Sequence, residues 1–212
     1  MDNTELENIQ YDETPFLFRG EALALDLVNT EAMKRGKRHD LLETPQDVAL
    51  WWQAACQHHP EWQDVQGGSG DDATIYDLGL LYALKTLRGA LRGIFGALVD
   101  DVPPRKEDIS ILNGVLSAGR WSIDLTPEGE LRPAYRIIDA TIGPVLLSCA
   151  LSALHLIREG DRKRIHRCES ERCILFFYDT TRSATRRWCS TSCMERTRSI
   201  QRYRQAKQAA LQ

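Results

Sequence analysis

Two pairs of cysteines near the C-terminus constrain the fold of this 212-residue chain more than any other feature. Cys168 and Cys173 have four residues between them, Cys189 and Cys193 have three, and fifteen residues separate the pairs. Two short knuckles that each supply two thiolates are a common architecture of a tetrahedral zinc site. The spacing therefore predicts that the four cysteines bind one structural Zn²⁺ ion.

Disulfide bonds and simple burial are the two alternatives to a zinc site, since free cysteine packs as a small apolar residue. Residues 1–10 are acidic and polar and contain no apolar signal segment, so we expect a cytoplasmic protein, in which stable disulfides are disfavoured. Cys56 and Cys149 stand alone, whereas the other four cysteines cluster. A segment of this size also has too few apolar residues for its own core, and a structural metal replaces one.

The net charge of −3 conceals an asymmetry along the chain. Residues 158–212 contain 14 Lys or Arg and 6 Asp or Glu, whereas residues 1–157 contain 13 and 24. An acidic body with a basic tail indicates that the tail binds a polyanion. The longest apolar stretch, Val145 to Ile157, is interrupted by polar residues and is too short to span a bilayer, so we expect no membrane association.

Apolar periodicity predicts an α+β fold in which helices dominate. Caps and three- and four-residue spacings indicate helices over 44–58, 73–99, 106–118 and 140–158, and a β-hairpin over 121–135. A short strand is also expected at 16–18. We therefore predict a mostly helical N-terminal domain with a small β-hairpin over residues 1–160, and a four-cysteine zinc-finger module over 161–212 that ends in a basic helix.

Arginines in the zinc module are the candidate contacts to nucleic acid, because the planar guanidinium binds phosphate through two hydrogen bonds. In a helix from Thr191 to about Gln208, Cys193 and Arg196 share one face, and we expect Arg196 to pack beside the zinc site and offset its charge. Phosphate contacts are predicted for the arginines on the other side and the flank of this helix and in the loop before the second cysteine pair: Arg182, Arg186, Arg187, Arg198, Arg202 and Arg204.

The tail resembles the CGNR-type zinc finger of bacterial regulators. The similarity rests on the two cysteine pairs and on the segments F-F-Y-D-T-T-R at 176–182, R-R-W-C-S at 186–190 and C-M-E-R at 193–196. The Gly-Asn of the family signature is Met194-Glu195 here, although Cys193 and Arg196 remain. If the Asn position contacts nucleic acid, Glu195 would weaken that contact by placing negative charge near phosphate.

The body is similar to the ABATE domain that usually precedes this finger. The matching segments are A-L-D-L-V-N-T at 24–30, L-R-G-A-L-R-G-I-F at 87–95 and I-L-N at 111–113. The resemblance implies a stress-induced transcription regulator whose front domain senses a small molecule. Mostly on that basis, Asp26, Asn29, Arg88 and Asn113 are the candidate lining of an effector pocket, since they are polar residues beside apolar faces. A simpler assignment for Asp26 and Asn29 is capping of turns or helix ends.

Three functions follow from these observations. The first is a zinc-finger transcriptional regulator that binds duplex DNA, with a body that senses a small molecule or mediates formation of a homodimer. The second is an RNA- or protein-interaction module in which zinc is purely structural. The third, an enzyme, is disfavoured, because no phosphate-binding loop or nucleophile signature is found and an all-cysteine zinc site leaves no open position for water.

Overall fold

The computed structural model describes residues 15–62, 76–127, 129–138 and 143–209. The fold is α+β and mostly helical, with small antiparallel hairpins, as the sequence predicts. In chain order the elements are α1 Leu23–Val28, β1 Glu31–Lys34, β2 Lys37–Asp40, α2 Pro45–His58, α3 Leu78–Val99, α4 Lys106–Leu116, β3 Gly119–Leu125, β4 Leu131–Ile137, α5 Pro144–Arg158, β5 Ile165–Arg167, β6 Phe176–Tyr178 and α6 Thr191–Ala209.

Helix α3 is central to the body, and α1, α2, α4 and α5 all pack against it. Its apolar side chains recur every three or four residues, which places Leu84, Leu87, Leu91 and Ile94 on buried positions of one helix. All six residues of α1 are buried between α3 and α5. The sequence motif containing α1 is therefore a structural centre of the body.

Capping side chains fix where two of the helices begin. Thr44 and Asp47 form a reciprocal capping box at α2, and Pro45 occupies its first turn, as the sequence predicts. Asp77 accepts a hydrogen bond from the Leu80 N–H at the start of α3. The expected start of this helix at residue 73 is therefore wrong, because the helix begins at Leu78; residues 71–75 lie outside the described residues.

The strands differ in how well the sequence predicts them. Strands β3 and β4 form the expected antiparallel hairpin. Residues 16–18 form no strand, and the β1–β2 hairpin lies at residues 31–40, where no helix or strand was expected. Arg35 and Gly36 both have positive φ angles in its two-residue turn, which is the geometry of a tight hairpin turn. Because both faces of this hairpin carry polar residues, the sequence does not show the alternation of apolar and polar residues that predicts a strand.

Strands β5 and β6 attach the C-terminal segment to the body. Ile165 and Phe176 belong to the apolar core that the body helices form. A second, smaller cluster includes Leu175 and Phe177 together with the buried cysteines. The division of the chain at residue 160 stays a prediction, and buried contacts cross it.

Within the part of the chain that the structure describes, no helix is long and apolar enough to cross a membrane.

Candidate zinc centre and basic helix

The four paired cysteines converge because a turn and the first turn of α6 face one another. Cys168 and Cys173 lie in the turn that joins β5 to β6, where the Cys168 N–H donates to the Leu175 carbonyl at 2.9 Å. Cys189 precedes α6, and Cys193 lies in its first turn, where its N–H donates to Ser190 Oγ at 3.3 Å. The Cys189 N–H points at Cys168 Sγ, 3.4 Å away, so the two knuckles are joined directly.

The sulfur positions fit a tetrahedral zinc ion. All four Sγ atoms lie within 4.8 Å of one another, and two of the separations, Cys173 to Cys189 and Cys189 to Cys193, are 3.7 Å. A Zn–S bond of about 2.3 Å in a regular tetrahedron places sulfurs about 3.8 Å apart. A disulfide would require about 2.0 Å, and none of these four cysteines is disulfide-bonded. The donor set and its size therefore suit Zn²⁺ and exclude the disulfide alternative for this conformation.

Arg186 holds the second knuckle from inside the module. Its guanidinium donates to the carbonyls of Trp188 and Cys189 at 3.0 and 2.6 Å and lies 4.6 Å from the centre of the Phe177 ring. Its side chain also lies 3.6 Å from the Glu21 carboxylate. Sequence analysis assigned Arg186 to phosphate, but the structure gives its donors internal acceptors.

Arg187 and Arg204 form exposed ion pairs with the first knuckle. Arg187 pairs with Glu169, and both terminal nitrogens of Arg204 donate to Glu171, at 2.6 and 2.8 Å. The hydrogen bond from Arg204 lowers the pKa of the Glu171 carboxyl. Because exposed ion pairs contribute little stability, a phosphate can compete for either arginine.

Arg182, Arg198 and Arg202 form the remaining group. All three are exposed, and no hydrogen bond or ion pair to another described residue engages them. Arg198 and Arg202 lie one turn apart on α6. These two arginines, together with Glu195, Gln201 and Gln205, line a shallow surface groove along the helix.

Arg196 does not take the structural position expected of it. Cys193 faces the zinc centre, and Thr197 and Ile200, four and seven residues later, are half-buried, as is Met194 beside the cysteine. That phase leaves Arg196 exposed on the flank of the helix, without a hydrogen bond to any described residue. The expectation that it packs beside the thiolates is therefore corrected.

Asp26 and Asn29, two of the proposed effector contacts, have buried internal partners. Asp26 accepts hydrogen bonds from the Gly20 N–H at 2.6 Å and contacts His59 Nε2 at 2.8 Å. Asn29 donates to the Phe176 carbonyl at 2.8 Å and accepts from the Phe176 N–H at 2.9 Å. The Asn29 side chain thus extends the pairing of β6 and links α1 to the zinc module.

Arg88 and Asn113, the other two proposed effector contacts, lie in different environments. Arg88 is buried and donates to Asp40 through both terminal nitrogens, at 2.6 and 2.7 Å, and to Thr30 Oγ1 at 2.9 Å. Asn113 is exposed on α4. Among the described residues, no hydrogen bond joins any two of the four candidates, and the effector pocket stays a prediction.

Asp40 and Arg92 are structurally important residues that sequence reasoning did not select. Burial alone would raise the pKa of Asp40, but hydrogen bonds from Arg88, the Leu42 N–H and Lys85 outweigh it and lower the pKa to about 2. Arg92 donates to the carbonyls of Val28 and Ile174 at 2.6 and 3.0 Å. Its place within the L-R-G-A-L-R-G segment was the available signal, because it falls one turn after Arg88.

Two protein families match this chain, one over the body and one over the finger. Residues 21–160 match the ABATE family, described as "Putative stress-induced transcription regulator", and residues 164–207 match the CGNR zinc finger. No curated protein matches the chain. The finger match and the clustered thiolates agree on one structural zinc ion. The chain belongs to the ABATE family and carries a CGNR zinc finger at its C-terminal end.

Proposed function

We propose that this protein is a transcriptional regulator that binds duplex DNA through α6. The observation that carries the proposal is that two exposed arginines, Arg198 and Arg202, have no partner among the described residues and lie on a helix that begins at the zinc centre. Helix α6 contains five basic residues and one acidic residue, and every described residue from 201 onward is exposed. A rigidly anchored, cationic helix free along its outer turns suits the phosphate backbone of a duplex.

The proposal is tested by the salt dependence of binding to random-sequence duplex DNA, measured by fluorescence anisotropy. Because Arg202 would displace about one condensed cation, Arg202→Ala is expected to flatten the slope of log affinity against log salt by about one. Lys106→Ala is the matched control, since it removes one exposed positive charge from the start of α4. If the slope of log affinity against log salt were the same for wild type and Arg202→Ala, the proposal that α6 contacts the DNA would be wrong.

Competition separates duplex DNA from the alternative of RNA. Unlabelled duplex is expected to displace the labelled probe at lower concentration than single-stranded RNA of the same length. The reverse order would favour an RNA-interaction module. Absence of binding to either polyanion would leave a protein partner as the alternative, with zinc in a purely structural role.

The body is proposed to mediate formation of a homodimer through the β3–β4 hairpin. Ile123, Leu125 and Leu131 are 66%, 70% and 75% exposed, and Leu125 lies directly opposite Leu131 in the hairpin register. Clustered apolar exposure of this kind is typical of an association surface. Leu125→Lys is expected to shift the mass measured by light scattering from dimer to monomer, whereas Leu50→Lys, on the exposed side of α2, leaves it unchanged. A monomeric wild type would refute the proposal.

The proposed sensing role depends on the contact between α1 and the finger. Asn29 pairs with the backbone of Phe176, and the Gly20 carbonyl accepts from the Tyr178 N–H at 3.0 Å. A small molecule that displaces these buried partners would alter the position of β6 and hence of the zinc centre. A ligand found by thermal shift should therefore stabilise the wild type more than Asn29→Ala. Equal stabilisation of both proteins would place the ligand elsewhere.

A further inference from the structure

One side of α6 carries a combination of side chains that phosphate binding does not require. Its groove is lined by Glu195, Arg198, Gln201, Arg202 and Gln205, and we refer to these five residues as the outward face. All five are exposed. Three of the five, the glutamate and both glutamines, offer hydrogen-bond acceptors.

Hydrogen-bond acceptors on a surface that contacts DNA indicate contacts with bases rather than with phosphates. Phosphate oxygens accept hydrogen bonds and carry negative charge, so they gain nothing from a glutamine carbonyl and are repelled by the Glu195 carboxylate. Base edges in the major groove offer donors as well. The N6 amino group and N7 of adenine match a glutamine amide in two-point fashion, and the N4 amino group of cytosine matches a carboxylate.

The dimensions of the outward face suit the major groove. Gln205 lies ten positions after Glu195, which is about 15 Å along the helix axis at about 1.5 Å per residue. At about 3.4 Å per base pair, the face spans about four base pairs. A helix about 10–12 Å across enters a major groove about 12 Å wide.

The opposite side of α6 fixes the orientation of this face. Cys193 ties the first turn to the zinc centre, and Thr197 and Ile200 on the same side of the helix are half-buried. Arg204 pairs with Glu171 of the first knuckle through two hydrogen bonds. The outward face therefore lies on the side of α6 away from the zinc centre, and its orientation is fixed chiefly by the first turn of the helix.

We propose that α6 is a major-groove recognition helix, in which Gln201 and Gln205 read adenine and Glu195 reads cytosine. This inference rests on the proposed function, because it assumes that α6 meets duplex DNA. Gln201 and Gln205 lie one turn apart, about 6 Å along the axis, so their adenines are separated by about two base pairs. Glu195, which replaces the family asparagine, specifies the base nearest the zinc centre, and Arg198 and Arg202 hold phosphates.

The test is selection of bound sequences from a randomised duplex library by the full-length, zinc-loaded protein. The wild type is expected to enrich a motif with two adenines. Gln201→Ala and Gln205→Ala are each expected to relax one of these positions by about tenfold in base preference, while the salt slope stays unchanged because no charge is removed. Glu195→Gln is expected to change the preferred base at the cytosine position. Alanine favours the helix, so these variants retain α6.

Ser199→Ala is the matched control, since Ser199 is exposed on α6 but lies outside the groove. It should leave the motif unchanged. Duplex binding by the wild type with no motif, or with a motif that survives both glutamine substitutions, overturns base reading and leaves the proposed function intact. Failure of the zinc-loaded wild type to bind any duplex overturns both, so the two failures are distinguishable.

Discussion

Individual arginines of the zinc module differ in environment although their side chains are chemically identical. Arg186 is surrounded by backbone carbonyls and an aromatic ring, whereas Arg182 and Arg198 are exposed and have no described partner. A sequence reports only that all are basic. The positions of the carbonyl acceptors decide between a structural and a binding role, and those positions exist only once the knuckles have formed.

Removing the Arg186 guanidinium should destabilise the second knuckle. Arg186→Ala leaves the carbonyls of Trp188 and Cys189 without their charged donor, which we expect to lower the free energy of unfolding by about 2 kcal/mol. Zinc should also transfer faster to a colorimetric chelator. Arg182→Ala, an exposed substitution in the same loop, should change stability by less than about 0.5 kcal/mol. Similar effects of the two substitutions would contradict the structural role of Arg186.

The ion pair between Asp40 and Arg88 should stabilise the body with little dependence on pH near neutrality. Hydrogen bonds lower the pKa of Asp40 from 3.8 to about 2, so its contribution is complete above about pH 4 and is lost as the pH falls from 4 to 2. Asp40→Asn is therefore expected to cost about 2 kcal/mol at both pH 7.5 and pH 5.5, measured by urea unfolding. Asp100→Asn, in an exposed pair with Arg167, should cost less. If the loss of unfolding free energy caused by Asp40→Asn were smaller at pH 5.5 than at pH 7.5, this account would be wrong.

At the scale of elements, Asn29, which directly follows α1, forms two hydrogen bonds with the backbone of β6. Asn29→Ala removes a donor and an acceptor from the buried backbone of Phe176, which we expect to destabilise the protein by about 2–4 kcal/mol. The Phe176 amide should lose protection in hydrogen exchange. Asn113→Ala, on the exposed face of α4, serves as the control and should be nearly neutral. Unchanged protection of Phe176 would show that other contacts hold β6.

How far the sequence predicts these elements depends on how local their determinants are. Thr44, Pro45 and Asp47 predict the start of α2, and the spacing of the four cysteines predicts that they bind zinc together, because both patterns involve residues that are close in sequence. The β1–β2 hairpin and the Asn29 contact were not predicted. The first is polar on both faces, and the second joins residues 147 positions apart, so neither leaves a periodic signal.

The whole molecule combines an acidic, mostly helical body with a basic finger that shares part of its core. The apolar core is built chiefly from α1 to α5, whereas the finger has a small cluster centred on its cysteines. Metal binding should therefore be coupled to folding in the finger and much less in the body. This difference gives a direct test of the division of the chain near residue 160.

Removing zinc with a chelator under reducing conditions should unfold the finger and leave the body folded. Helix α6 supplies about a fifth of the described helical residues, so we expect the helical circular-dichroism signal to fall by about that fraction. Cys168→Ser should reproduce this loss with zinc present, and Cys56→Ser, outside the cluster, should not. The remaining signal should still unfold cooperatively on heating. Loss of the whole helical signal would mean that the body cannot fold without its metal-bound finger, and the proposed boundary would then not separate two folding units.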